Sequence, residues 1–117
     1  MSDQKYNSLL NLIYETLDNK KAHDIHVLDI SRITIFADYF VITSGSNQNQ
    51  IHAMADAVEE KLAAQGIHPR SVEGYQNANW ILMDYRDIVI HIFDTESREF
   101  YDLERIWRDA ETVTIEA

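Results

Sequence analysis

The sequence has no cysteine, one proline and three glycines among its 117 residues. Without cysteine there is no disulfide framework, no thiolate nucleophile and no cysteine-based zinc site, which excludes several classes of enzyme and secreted protein. With so little glycine and proline there is no linker, repeat or low-complexity tract. Together with 45% hydrophobic residues, this predicts a single globular domain over residues 1–117.

Long apolar runs are also missing. No segment approaches the roughly 18 apolar residues of a membrane-spanning helix. The residues after Met1 lack the basic region and apolar run of a secretory signal. We therefore expect a cytoplasmic protein with no membrane contact.

Basic side chains are outnumbered by acidic ones, 10 to 20, which gives a formal net charge of −10. A negative surface repels phosphate backbones, so little direct nucleic-acid binding is expected. Such a surface suits a basic protein partner. The alternative is an acidic domain with no charged partner at all.

Two apolar, β-branched runs, Trp80 to Tyr85 and Ile88 to Phe93, dominate the sequence. The charged cluster between them is typical of a hairpin tip. Neither run alternates cleanly between apolar and polar residues, which predicts strands with both faces covered by helices.

The remaining elements follow from periodicity and turn residues. Helices are predicted from about Ser2 to Asn19, over 48–65 and over 95–109, with further strands over 23–29, 38–43 and 70–73. The order α-β-β-α-β-β-β-α indicates an α/β fold with a mixed, five-stranded sheet flanked by helices. The second helix should join parallel strands. Residues 113–117 are not assigned.

The turn containing Gly45 and Ser46 lies between a strand and a helix, as in enzymes that hold nucleotide phosphate at a helix N-terminus. Nucleotidyltransferases also need two carboxylates on one strand face to hold magnesium. The candidates lack that spacing: Asp38, Asp84 and Asp87. Capping and tight turning explain Gly45 and Ser46, and a nucleotidyltransferase-like enzyme using Ser46, a carboxylate and a metal-bound nucleotide is the alternative function.

The histidines do not predict a metal site. His23 and His26 are three residues apart in a strand, so we expect them on opposite faces. His52 and His68 lack the spacing of a histidine metal motif. No metal ligand is therefore assigned.

Two residues of the hairpin have two interpretations each. His91 interrupts an apolar strand and is either a hydrogen-bonded core histidine or part of a polar patch with Asp84 and Tyr101. Trp80 is either a core residue or an interface anchor, because tryptophan is enriched in binding hot spots.

Several motifs in one order resemble the Iojap family, the ribosomal silencing factors. They are Asp38 to Ile42 with Ser44-Gly45, Ala53 and Ala55 to Val58, Glu73-Gly74, Trp80, Asp84-Tyr85, Asp87 to Phe93, and Arg98 to Trp107. The resemblance covers most of the chain.

The resemblance implies a nucleotidyltransferase-like fold without transferase activity or cofactor, often self-associated, here as a possible homodimer. It also implies binding to the large ribosomal subunit through ribosomal protein fourteen, a basic protein. Occupancy of that site blocks the small subunit and represses translation when nutrients are short.

The recognition surface expected on this basis combines an aromatic centre with carboxylates that face basic residues of the partner. Its residues are Glu73, Trp80, Asp84, Asp87, His91, Tyr101 and Glu104. The chain departs from the family pattern at two positions. Arg86 replaces a hairpin glycine, so we expect a different turn type there, and Asn49 replaces a basic residue at the start of the second helix.

Overall fold

The computed structural model describes the backbone of residues 3–115 and the side chains of residues 8–115. Ser2, where the first helix was expected to begin, and residues 116 and 117 lie outside this range. The elements, in order, are α1 (Asp3–Asn19), β1 (His23–Asp29), β2 (Tyr39–Gly45), α2 (Gln48–Ala63), β3 (Ser71–Glu73), β4 (Trp80–Asp84), β5 (Ile88–Asp94), α3 (Thr95–Tyr101), α4 (Leu103–Ile106) and β6 (Glu111–Thr112). None of the described helices has the length and apolar character needed to cross a bilayer.

The strands form one mixed sheet in the order β3-β4-β5-β2-β1-β6. β2 and β5 are parallel, and every other neighbouring pair is antiparallel. The mixed α/β architecture is therefore confirmed. The sheet has six strands where five were expected, because β6 pairs only two residues, Glu111 and Thr112, with β1. A segment that short gives no periodic signal.

One face of the sheet, called here the inner face, is covered by α1 and α2. Leu10, Ile13 and Leu17 recur at helical spacing along α1 and are fully buried. They pack with the buried residues of α2 and with the inward side chains of the strands, including Ile81, Met83, Ile88, Ile90 and Ile92. This layer holds the larger part of the apolar core.

The opposite, outer face carries a smaller cluster. Its buried members come from the strands, from the segment after β1 and from α4: Leu28, Ile30, Ala37, Ile42, Phe93 and Leu103. Along β4 the burial alternates, with Ile81 and Met83 buried and Trp80, Leu82 and Asp84 only partly covered. The expectation that helices cover both faces of this strand is wrong. The outer side chains are themselves largely apolar, which hid the alternation in the sequence.

The helix expected over 95–109 is broken at Asp102. This residue has a left-handed backbone with φ of 48° and ends α3, its N–H bonding to the carbonyl of Arg98. α4 then begins at Leu103 in a new direction. The break was not predictable from periodicity, because Asp102 is neither glycine nor proline and the apolar pattern continues through it.

The hairpin tip keeps a left-handed residue although it has no glycine. Arg86 has φ of 74°, and the N–H of Asp87 bonds to the carbonyl of Tyr85 at 3.0 Å, which makes a three-residue γ-turn. Arg86 therefore adopts a positive φ without being glycine, and the expectation of a turn type different from that of the family stays a prediction. The side chain of Asp84 accepts a hydrogen bond from the N–H of Arg86 at 2.8 Å and so stabilises the turn.

Candidate functional site

Strand register places most of the expected recognition residues on the outer face. Trp80 pairs with Phe93, Leu82 with His91 and Asp84 with Val89 across β4 and β5. Paired residues of neighbouring strands point to the same side of a sheet. The hairpin therefore presents a mixed aromatic and polar surface on its half-covered side.

An aromatic group lies at one end of this surface. The ring of Trp80 is 5.0 Å from that of Phe93 and 4.7 Å from that of Tyr101, measured between centroids. Phe93 is buried and Tyr101 is 45% exposed. Trp80 thus joins the core beneath it to an exposed ring supplied by α3.

Trp80 is also bonded to His91. Its indole N–H donates to Nδ1 of His91 at 3.0 Å, and His91 is only 3% exposed. Burial lowers the pKa of His91 to about 4, so the imidazole is neutral at physiological pH. Because Nδ1 accepts a hydrogen bond, the ring hydrogen of the neutral form resides on Nε2. That buried nitrogen has no hydrogen-bond partner among the described residues.

Asp84 lies at the other end of the outer surface. Its Oδ2 accepts hydrogen bonds from Nη2 of Arg70 at 2.7 Å and from Nε at 3.2 Å. Partial burial raises the pKa of Asp84, but the bonds from Arg70 and from the amide of Arg86 outweigh it, and the pKa lies below its ordinary value. Asp84 is therefore a carboxylate at neutral pH.

Between these two ends lies a cleft of about 250 Å³, called here the outer cleft. Apolar side chains form most of its wall, and the polar residues that line it are Thr34, Arg70, Asp84 and His91. The main apolar residues are Ile30, Phe36, Phe40, Leu82, Val89 and Trp107. Phe36 stands at the rim and is 85% exposed, and its neighbour Ile35 is 98% exposed. Exposed apolar side chains beside a cleft are typical of a protein interaction site.

Glu104 is engaged within the protein. Its Oε2 accepts from Nη2 of Arg98 at 2.7 Å and lies 3.0 Å from Nδ1 of His26. Partial burial raises the pKa of Glu104, but Arg98 and, to a smaller extent, His26 lower it below the ordinary value. Arg98 also donates to the carbonyls of His23 and Asp24 and to Oγ of Ser44. This group fastens α3 and α4 to the start of β1.

The expected recognition residues thus separate into groups. Trp80, Asp84, His91 and Tyr101 come together on the outer face. Glu73 lies on the same face of edge strand β3, opposite Leu82, and Asp87 is exposed at the hairpin tip. Glu104 lies in the Arg98 group instead.

Sequence reasoning missed several residues of the outer cleft. Phe36 and Phe40 come from the segment after β1 and from β2, Trp107 follows α4, and Arg70 precedes β3. The pair Ile35-Phe36 was the available signal, because two large apolar residues follow Thr34 in a segment with no helix or strand pattern.

The region around Ser46 has its own arrangement. Oγ of Ser46 is 3.1 Å from Nε2 of His23, and Asn47, rather than Ser46, caps α2 by accepting from the N–H of Gln50. An irregularity in β1 pairs His23 with Ser44 and His26 with Ile42. Both histidines therefore face the outer side, and the expectation of opposite faces is wrong. Within the described residues, no group of three His, Asp or Glu side chains could hold a metal ion.

Comparison with known proteins gives this geometry a context. The model of a family described as "Ribosomal silencing factor during starvation" matches residues 3–117. The chain belongs to the ribosomal silencing factor family. A ribosomal silencing factor of Halalkalibacterium halodurans is similar to it, with 38% identity over 116 residues that cover 99% of this chain and 97% of the relative.

Two further comparisons extend the family. The crystal structure of a Chromobacterium violaceum protein superimposes with a TM-score of 0.84 and 28% identity, over 94% of this chain and 91% of that one. A mouse protein named "Mitochondrial assembly of ribosomal large subunit protein 1" is 30% identical over 101 residues, which cover 84% of this chain and 44% of the mouse protein. The α/β fold is therefore shared with the Chromobacterium violaceum protein.

Proposed function

We propose that this protein silences translation by binding the large ribosomal subunit through ribosomal protein fourteen and sterically blocking the small subunit. Membership of the family supports a ribosome-directed role. The name of the mouse relative, which refers to the large subunit, supports the choice of subunit. In this proposal the protein acts in the cytoplasm.

The half-covered outer face is the observation that carries the proposal at the level of residues. Trp80 and Tyr101 are the anchors, since partly exposed aromatic rings that rest on a buried ring suit an interface hot spot. Glu73, Asp84 and Asp87 lie farther from these rings, on β3 and toward the hairpin tip, and face Lys or Arg of the partner. His91 contributes through the outer cleft, and Glu104 contributes by holding α4 in place.

Charge and size fit the same mechanism. A net charge of −10 favours rapid association with a basic ribosomal protein and makes that association sensitive to salt. A standard protein interface buries about 1,600 Å² in total, which a domain of 13.6 kDa can supply. The mechanism needs no catalytic step, so one bound copy inactivates one subunit.

The order in which the components are mixed tests the steric mechanism. Added to separated subunits, the protein should prevent formation of whole ribosomes in proportion to its concentration. Added to joined ribosomes it should do much less, because the small subunit already covers the site. Light scattering reports both. Equal inhibition in both orders, or inhibition at strongly substoichiometric amounts, would contradict the steric mechanism.

Three measurements test the remaining parts of the proposal. Crosslinking to purified large subunits should join the outer face to ribosomal protein fourteen. Calorimetric titration with ATP or CTP and magnesium should give no tight binding, whereas metal-dependent binding would favour the nucleotidyltransferase-like alternative. Light scattering of the protein alone reports the homodimer that the family resemblance implies.

A further inference from the structure

Four polar residues line the outer cleft. Arg70 is bonded to Asp84, and the hydroxyl of Thr34 accepts from the N–H of Phe36. The other two, His91 and Asp84, offer groups of opposite hydrogen-bonding character.

Leu82 is opposite His91 and Asp84 is opposite Val89. Asp84 and His91 are therefore diagonal neighbours on one face, a separation of roughly 7 to 8 Å between Cα atoms. Both side chains line the cleft. A ligand in the cleft would meet both of them.

His91 supplies the donor. Nδ1 accepts from Trp80, so the hydrogen is on Nε2, and this buried N–H has no acceptor among the described residues. A buried donor without an acceptor is unfavourable, so an acceptor that reaches Nε2 gains more than an ordinary hydrogen bond. The position therefore selects for an oxygen in the occupant of the cleft.

Asp84 supplies the acceptor. One of its oxygens accepts from the amide of Arg86 and the other from the side chain of Arg70. A carboxylate has about four lone-pair positions, so capacity remains for another donor. A hydroxyl group both accepts and donates, and it matches His91 and Asp84 together. A carbonyl could satisfy His91 only, and an ammonium Asp84 only.

The side chains that form the walls of the cleft indicate which chemical group bears the hydroxyl of the occupant. Phe40 and Trp107 pack edge to face with centroids 5.1 Å apart, and Phe36 stands exposed at the rim. Aromatic walls favour a flat aromatic ring, and a buried tyrosine needs a partner for its hydroxyl. A volume of about 250 Å³ is small for a metabolite site but suits one side chain.

We propose that the outer cleft is a socket for a tyrosine side chain of the protein partner, with its hydroxyl accepting from Nε2 of His91 and donating to Asp84. The inference rests on the proposed function for the identity of the partner. The chemistry of the socket can be tested without the ribosome, because p-cresol reproduces the tyrosine side chain.

The first experiment is a titration of the full chain with p-cresol, followed by NMR of the His91 ring nitrogens and of the Leu82 and Val89 methyl groups. These signals should shift together, and the Nε2 hydrogen should move downfield. Toluene, which lacks the hydroxyl, should bind about tenfold more weakly, as expected for one satisfied buried hydrogen bond. Equal binding of the two compounds, or no shift at the cleft, would overturn the proposal.

The second experiment fills the cleft. Leu82→Phe should weaken p-cresol binding at least tenfold and lower affinity for the large subunit, at an unchanged melting temperature. The matched control Leu9→Phe makes the same substitution on α1, which packs on the inner face, and should leave both p-cresol binding and subunit binding unchanged. If Leu82→Phe binds p-cresol and large subunits normally, the socket is refuted.

A third variant covers the case in which Leu82→Phe does not fold. In His91→Asn the amide oxygen can still accept from Trp80, but the Nε2 hydrogen is lost. The preference for p-cresol over toluene should then disappear, and its persistence would refute the role of His91. The two bindings are measured separately. If the wild type binds p-cresol in the cleft but does not bind large subunits in the absence of p-cresol, the proposed function alone is refuted. If it binds large subunits but not p-cresol, the socket alone is refuted.

Discussion

The indole N–H of Trp80 donates to Nδ1 of His91 over 3.0 Å, diagonally across the β4–β5 pair of strands. This contact favours the core interpretation of His91, and the role of Trp80 as an interface anchor stays a prediction. His91 is a buried histidine bonded through one nitrogen, and its hydrogen-bond partner is Trp80, which also touches Tyr101 at the surface. The two residues are one unit that belongs to both core and candidate interface.

The stability of the protein should depend on the ionisation of His91. Its pKa is about 4 when folded and about 6.5 in an unfolded chain. Between these values only the unfolded chain binds the proton, so the free energy of unfolding falls as the pH drops. We expect a loss of about 2 kcal/mol between pH 7 and pH 5, measured by urea denaturation. In His91→Asn this pH dependence should be much reduced, and the same slope in both proteins would contradict the assignment.

Removal of the Trp80 ring should lower both stability and binding, whereas removal of the Tyr101 ring should lower mainly binding. Trp80→Ala removes a large half-buried ring and leaves Nδ1 of His91 without its donor, so we expect a loss of stability of about 3 kcal/mol together with weaker binding. Tyr101→Ala removes a ring that is 45% exposed, and it should cost about 2 kcal/mol of affinity for the large subunit with little loss of stability. Melting curves and subunit binding separate the two. Normal binding by folded Tyr101→Ala would show that this ring is not an anchor.

The stability of the protein should depend on the whole guanidinium group of Arg98 and not on its positive charge alone. Its guanidinium, in a side chain only 12% exposed, bonds to Glu104, Ser44 and the carbonyls of His23 and Asp24. Arg98→Ala leaves Glu104 partly buried without its main partner, and we expect a loss of about 3 kcal/mol in thermal or urea unfolding. Arg98→Lys should recover less than half of this, because one ammonium cannot reach all four acceptors. Full recovery would show that only the charge matters.

Gly74 should be intolerant of any side chain. It has φ of 76°, and an added Cβ would overlap the carbonyl oxygen of Trp80. Gly66 has nearly the same φ, 77°, but open space around it. Gly66→Ala should cost about 1 kcal/mol for the left-handed backbone, and Gly74→Ala clearly more, because the backbone of Trp80 must move. Similar melting temperatures for the two variants would contradict this account.

The sequence predicted the elements whose residues carry a long regular pattern, such as the buried runs of β4 and β5 and the stripe of α2. It could not predict features that depend on contacts between distant residues. Asp102 breaks a helical pattern at the point where Arg98, before it, bonds to Glu104, after it. Arg86 adopts a left-handed conformation in a turn where the carboxylate of Asp84 accepts its backbone N–H. Both are tertiary effects on residues with ordinary propensities.

The residues of the candidate site divide in the same way, into those with a signal in the sequence and those that depend on contacts between distant residues. Trp80, Asp84 and His91 stood out as polar or very large residues within apolar strands, and register then brought them to one face. Glu104 was expected in the recognition surface through the family resemblance, but its pairing with Arg98 six residues earlier is possible only because α3 and α4 are separate. The outer cleft depends on Phe36, Phe40 and Trp107, which are far apart in sequence.

The lengths of the outermost strands limit how the sheet can meet other molecules. β3 has three residues and β6 has two, and the longer strands all lie between them. An extended segment arriving beside β3 would find only three residues, too few backbone groups to form a stable ladder. This edge is thereby protected against open-ended stacking of copies into fibrils, although the strands are rich in the β-branched residues that favour such growth.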